Sequence, residues 1–249
     1  MLNQAAYNGS DVRARTAQAL VADRASRGLA TKRIVDLGTG TGPAARALRD
    51  AFEGAEVIAV DTSSEMLAVA DLLTSPLRTA TSSAVPARLQ ASGTTNTLFD
   101  IGDADTYWTG GSRAMQEDIT YLQRNAEATG LASGAFDVVC AAFLLHEAPA
   151  AGRAKIIADA RRLLRPGGTF VVLDIARSYS PSPVMLSGEP YIDGYLENIE
   201  EDMTSAGFSF VSVVQPIKGR AEQWFAQEPL RAKPAVQSSP AAPAAVAKR

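Results

Sequence analysis

The sequence predicts an α/β protein: a doubly wound, largely parallel sheet with helices on both faces and a final antiparallel strand. Three observations carry this expectation. Short apolar runs alternate with longer stretches of helical periodicity along most of the chain, which is the pattern of repeated strand-helix-strand units. The first such run, Arg33-Ile34-Val35-Asp36-Leu37, breaks into the alternating glycines Gly38, Gly40 and Gly42 ahead of the helix-forming Ala44-Ala45-Arg46-Ala47-Leu48, so it reads as strand, tight turn and helix. A chain of 249 residues that is 46% hydrophobic also holds enough apolar material for one large domain with a proper core.

The elements follow in order. The first thirty residues are rich in Arg and Ala like a transit peptide, but Asp11 and Asp23 interrupt them. With Val12, Leu20 and Val21 on one side, they predict an amphipathic helix feeding the first strand. Val57-Ile58-Ala59-Val60-Asp61 is the second apolar run ending in an acid, and the next helix carries Met66 and Leu67, both expected in its core. From Thr74 to Asp118 the chain is rich in Thr, Ser, Ala and Gly, far longer than an ordinary connection. This insertion reads as a flexible surface loop, with Leu98-Phe99-Asp100-Ile101 and Tyr107-Trp108 offering the alternative of a lid. Ile119 to Gln123 and Phe136 to Val139 read as the third and fourth strands, and Ala148 to Leu164 as a helix. Thr169 to Asp174 reads as a buried strand, Tyr191 to Ala206 as a helix and Phe208 to Val214 as a strand after the Gly207 stop. Ala221 to Gln227 returns as the antiparallel strand, with Trp224 and Phe225 packed in it. One domain thus spans residues 1–227, and the Pro/Ala-rich residues 228–249 are expected to be disordered.

The glycine turn carries the first chemical signal. Alternate glycines allow positive φ and a close approach of ligand to backbone, and the following helix N-terminus offers unpaired N–H groups to an anion. Asp36 sits just before the first glycine, where a carboxylate would repel a pyrophosphate but attract an ammonium. S-adenosylmethionine (SAM) carries such a group. Asp61 lies about 20 residues beyond the turn, where α/β nucleotide-binding folds accept ribose hydroxyls. Gly40-x-Gly42-x-x-Ala45 also fits a loose dinucleotide fingerprint, so an NAD(P)-dependent oxidoreductase remains the alternative enzyme, one that leaves Asp36 unexplained.

These segments resemble the class I SAM-dependent methyltransferases. Asp36-Leu37-Gly38-Thr39-Gly40-Thr41-Gly42 is similar to the family's first motif, and Val60 to Ala70 to its second motif and helix. Arg161 to Phe170 resembles the turn into strand five, and Leu145-His146-Glu147 the segment after strand four in the small-molecule, quinone-biosynthesis-like branch. The similarity runs from about Ile34 to Phe210, interrupted once. It implies a Rossmann-like, seven-stranded, three-layer αβα fold and assigns SAM binding to Asp36, Gly38, Thr39, Gly40, Gly42, Asp61, Thr62 and Met66. Asn125 and Ala126 stand at the family's spacing for the adenine-contacting pair, about eleven residues before strand four. The amide oxygen of Asn125 is expected to accept from the adenine amino group, in place of the common Asp. Gly102-Asp103-Ala104-Asp105 mimics that motif but lies some thirty residues ahead of the strand.

His146 follows strand four at the mouth of the expected crevice, where an imidazole can take a proton from an acceptor. The alternative for His146 is packing on the cofactor or capping a helix, and Glu147 reads as an acid at the start of the next helix. The acceptor pocket is expected from the N-terminal helix near Tyr7, the segment after strand four, and Ser178 to Tyr195 with Pro181, Pro183, Met185 and Tyr191. That lining suggests a small, fairly hydrophobic acceptor. A net charge of −3 argues against a nucleic-acid backbone as partner. The single Cys140 allows no internal disulfide and reads as a buried hydrophobe, and the lone histidine leaves no Cys/His metal cluster. No apolar run is long enough to span a bilayer, so a soluble, intracellular protein is expected. A SAM-binding protein without methyl transfer would keep all the cofactor residues.

Overall fold

The computed structural model describes residues 11–74, 119–208 and 210–229. Its elements are α1 (Val12–Ser26), β1 (Arg33–Leu37), α2 (Pro43–Ala51), β2 (Glu56–Asp61), α3 (Ser64–Thr74), β3 (Thr120–Gln123), β4 (Phe136–Ala142), a 3-10 turn (Leu145–Glu147), α4 (Ala150–Leu163), β5 (Leu164–Ile175), α5 (Pro183–Gly188), α6 (Ile192–Ser205), β6 (Phe210–Ile217) and β7 (Ala221–Gln227). The 75–118 part of the expected insertion, Tyr7 and the tail beyond Pro229 lie outside the described residues. Glu228, expected to open the tail, instead continues the sheet. Its N–H donates to Gly168 O, its carbonyl accepts from Gly167 N–H, and its carboxylate accepts from Arg161 Nε at 2.9 Å.

The strands form one seven-stranded sheet in the order β3-β2-β1-β4-β5-β7-β6. β1 to β5 are parallel, and β7 runs antiparallel between β5 and β6. Strands covered on both faces read as continuous apolar runs, and alternate residues of β1 divide between two cores. Ile34 packs with Ala17 and Leu20 of α1, Leu48 of α2 and Leu67 of α3. Val35 and Leu37 pack with Ile156 and Leu163 of α4 and with Tyr195, Ile199 and Met203 of α6. The result is three layers, with α1 to α3 on one face and α4 and α6 on the other. Trp224 and Phe225, adjacent on β7, divide between the same two cores. Strand order reverses between β1 and β4, which places a ligand crevice at their C-terminal ends.

Several boundaries differ from expectation. β5 begins at Leu164, because Leu164 already pairs with Phe136 before a register shift between Phe136 and Val138 restores the ladder at Thr169. Arg165-Pro166-Gly167-Gly168 is thus an irregularity within the strand rather than a turn ahead of it. On α1 the buried face is Val12, Thr16, Ala17, Leu20 and Arg24, and Val21 is only half-buried. On α3, Leu67 is core but Met66 is 47% exposed. No helix of the described residues is long and apolar enough to cross a membrane.

Candidate active site

The C-terminal ends of β1, β2, β4 and β5 surround a cavity of about 600 Å³, inside the roughly 300–1,000 Å³ range of small-molecule sites. One wall is the glycine turn. Gly38 has φ of 64°, and a β-carbon there would stand 2.5 Å from the Leu144 side chain. Gly42, at φ of 77°, is the N-cap of α2, and a β-carbon would meet the Tyr121 hydroxyl at 2.6 Å. Both sites demand glycine by conformation, and at each a neighbouring side chain would also have to shift to admit a β-carbon.

Asp36 lies beneath this turn with no solvent exposure. Its Oδ2 accepts from the Thr39 hydroxyl at 2.7 Å, and its Oδ1 is buried with no hydrogen-bond partner. Burial pushes the carboxyl up to about 6, against the Thr39 hydrogen bond, the neighbouring Cys140 thiol and the Arg13 charge. A buried, half-satisfied carboxylate is costly. Asp61 is held differently. Its Oδ2 accepts from Gly40 N–H at 2.7 Å and its Oδ1 from Ser63 N–H at 2.9 Å, so it ties the end of β2 to the turn while keeping lone pairs for a ligand.

The opposite wall follows β4. Phe143 takes a φ of 58°, a left-handed conformation strained for an aromatic residue. Its ring stacks under the Arg13 guanidinium, 4.8 Å from carbon to centroid. The 3-10 turn then presents His146, which is almost fully buried. Its Nδ1 meets Asp174 Oδ1 at 2.5 Å, and Asp174 Oδ2 accepts from the Leu145 and His146 N–H groups at 3.0 and 3.3 Å. A fully buried β5 carboxylate thus fixes both the turn and the ring, with Nε2 on the cavity side. Burial opposes the charged imidazolium, but the carboxylates of Asp174, Glu147 and Glu189 outweigh it and raise the histidine pKa. The ring also meets Tyr195 edge-on at 6.2 Å.

Of the expected cofactor residues, Gly38, Thr39, Gly40, Asp61 and Met66 line the cavity with His146. Asp36 and Gly42 stand behind the wall. Thr62 is exposed and off it, its carbonyl accepting from Gln123 Nε2 at 2.9 Å. Asn125 and Ala126 do not line it either. The Asn125 amide oxygen turns back to accept from Glu127 N–H at 2.9 Å, and Ala126 packs into the core. Glu147 does not open a helix, since α4 starts at Ala150; it stands on the cavity wall, 66% exposed in its side chain. From the expected acceptor segment Met185 lines the cavity, whereas Tyr195 is core, its hydroxyl donating to Ile175 O. The sequence reading did not name Arg13, Phe143, Asp174 or Arg220, and it covered Tyr179 and Glu189 only as members of the Ser178 to Tyr195 segment. For Asp174 a signal existed: an acid closing an otherwise apolar strand, as at Asp36 and Asp61.

This sheet order, with a glycine turn after the first strand and an acid closing the second, is the fold of the class I SAM-dependent methyltransferases. The chain belongs to the family described as methyltransferase domain, which matches residues 10–224. It is 30% identical over 175 residues to the demethylmenaquinone methyltransferase of Thermus thermophilus, covering 70% of this chain and 59% of that one. Among solved structures it is similar to phosphoethanolamine N-methyltransferase 2 of Haemonchus contortus in complex with S-adenosyl-L-methionine. There the TM-score is 0.54 at 18% identity, covering 80% of this chain and 49% of that chain. It is also similar to a SAM-dependent methyltransferase from Aquifex aeolicus, with a TM-score of 0.50 at 16% identity over 83% and 88% of the two chains. The chain therefore spans little more than half the length of the Thermus relative, and the structural likenesses bear on the fold.

Proposed function

We propose that this protein transfers the methyl group of SAM to a small, fairly hydrophobic acceptor. The observation that carries the reading is a single cavity that joins the glycine turn and Asp61 on one wall to the Nε2 side of a His146–Asp174 pair on the other. The residues present suit the cofactor. Asp36, buried behind the turn, sets the Thr39 hydroxyl and puts negative charge beneath the wall that the α-ammonium of a methionine moiety would face, and Arg13 lines the cavity with the opposite charge, matched to its carboxylate. Asp61 accepts from ribose hydroxyls, and Met66 offers an apolar edge to the adenosine.

When bound, SAM supplies an electrophilic methyl on sulfonium, so the protein has to align, exclude water and manage a proton. Alignment alone is worth roughly 7–11 kcal/mol of barrier lowering in a good geometry. The apolar side chains of Phe143, Leu144, Ile175 and Met185 shield the acceptor end from water. Asp174 holds the Nδ1 proton of His146 and leaves Nε2 as the base that faces the acceptor.

Calorimetry with SAM, S-adenosylhomocysteine (SAH) and NAD(H), followed by a metabolite screen with methyl-labelled SAM, tests the reading. Binding of SAM and SAH with label incorporation is expected. Binding of NAD(H) alone would make the protein an oxidoreductase, and SAM binding without transfer to any acceptor would make it a binding protein.

A further inference from the structure

The acceptor end of the cavity is chemically lopsided. The His146 side chain is 6% exposed, and with Nδ1 committed to Asp174 its Nε2 makes no hydrogen bond among the described residues. The carboxylate oxygens nearest Nε2 are Glu189 Oε2 at 3.6 Å and Glu147 Oε1 at 4.0 Å. Glu189 Oε2 is itself a buried atom without a hydrogen-bond partner. In the neutral form of the ring that acts as base, Nε2 and a buried carboxylate oxygen therefore stand side by side as acceptors, in a cavity also lined by the apolar Met185, Ile175 and Leu144.

Two acceptors side by side call for a ligand atom that donates more than one hydrogen bond. A hydroxyl has one proton and satisfies one of them. A protonated amine satisfies both and, with His146 neutral, supplies the positive charge that Glu147 and Glu189 otherwise meet in the protonated ring. We propose that the methyl acceptor is an amine on an apolar or aromatic body, its nitrogen held between His146 Nε2 and Glu189 Oε2. This rests on the methyl-transfer reading and narrows its substrate class.

The chemistry balances without a further reactant. The ammonium gives one proton to His146 Nε2, which frees the nitrogen lone pair. That pair forms the new N–C bond to the methyl carbon as the C–S bond breaks and its electrons pass to sulfur. The product leaves as a methylated ammonium, and the imidazolium returns its proton to water. One positive charge stays with the reacting atoms from the neutral amine and sulfonium to the products, and Glu147 and Glu189 stabilise it throughout. A phenol or carbon acid would instead develop negative charge beside those two carboxylates, and charges at such separations still interact strongly in a partly buried site.

The test uses the full chain loaded with SAH, titrated with 2-phenylethylamine and, as matched probes, 2-phenylethanol, 4-ethylphenol and hydroquinone. Labelled SAM then replaces SAH to read transfer. The amine is expected to bind about tenfold more tightly than the hydroxyl probes and to take the label on nitrogen, a preference that Glu189→Gln abolishes while SAH affinity and melting temperature stay unchanged. Equal or tighter binding of a hydroxyl probe, label on oxygen or carbon, or an undiminished amine preference in Glu189→Gln overturns the proposal. So does SAH binding with no affinity for the amine. A chain that binds neither SAM nor SAH would fail earlier, at the methyl-transfer reading itself.

Discussion

The two ends of the parallel strands treat a buried aspartate in opposite ways. At the N-terminal end, Asp137 of β4 is compensated on both oxygens: its Oδ2 accepts from Lys32 and Arg33 N–H at 2.7 and 2.9 Å, and its Oδ1, which makes no hydrogen bond, is held by the charges of Arg165 and, at 3.8 Å, Arg24. Arg24 in turn donates to Thr31, Ala30 O and Asp137 O. At the C-terminal end, Asp36 of β1 has the Thr39 hydroxyl on one oxygen and no hydrogen bond on the other, with only the Cys140 thiol and the Arg13 charge nearby to offset its burial. The first arrangement closes a charge; the second leaves one waiting. The charges at the N-terminal end are tied into the fold, whereas around the cavity Asp36 Oδ1 and Glu189 Oε2 are left without a hydrogen bond.

The sharpest way to break this comparison is at Asp137. Asp137→Ala should destabilise the fold by about 3–5 kcal/mol, since it strands a buried arginine, whereas a loss below about 1 kcal/mol in urea unfolding would mean that the network is ornamental. His146→Ala should lower the transfer rate by about 10²–10⁴ with little change in SAM affinity. The wild-type rate should rise with pH through a limb above the usual histidine range, because the surrounding carboxylates raise that pKa and the base works only when neutral. If the loss appears in SAM affinity instead, His146 packs on the cofactor.

Asp36→Asn separates binding from stability. SAM affinity should weaken by roughly 1.5–3 kcal/mol, as the cavity wall loses the charge beneath it and Thr39 loses its charged hydrogen-bond partner. The ligand-free variant should nonetheless be more stable than wild type at neutral pH, by about 1–3 kcal/mol. The sign follows from linkage: a carboxyl raised from 3.8 to about 6 binds more protons folded than unfolded between those values, so wild-type stability falls as pH climbs through that window. Thermal melts from pH 4 to pH 7 should show this slope in wild type and its loss in the variant. The smallest effect is expected at Met66→Ala. A side chain nearly half exposed should cost less than about 1 kcal/mol of SAM affinity and leave melting unchanged.

The glycine turn, Asp36 and Asp61 were legible in the sequence because each is local: a strand, its terminal acid and the next turn lie within a few residues. The antiparallel return of β7 was also legible, since its apolar run follows a turn. The His146–Asp174 pair was not, because it joins residues 28 apart and depends on the register between β4 and β5. Phe143 was equally hidden, since nothing in its neighbours announces a positive φ. The adenine pair shows where motif spacing stops being informative. Spacing placed Asn125 and Ala126 at the end of β3, but a local turn captured the Asn125 amide oxygen, and motif spacing carries no information about which way a side chain turns.

The seating of β7 has a consequence for how the protein is made. β5 and β6 leave the ribosome first yet never pair with each other, for β7 occupies the lane between them. Until residues 221–227 have emerged, β5, which carries Asp174, has an open backbone edge, and β6 has no strand to join. A chain cut short at Arg220 would therefore lose a middle strand rather than a margin, exposing an adhesive edge in the nascent product.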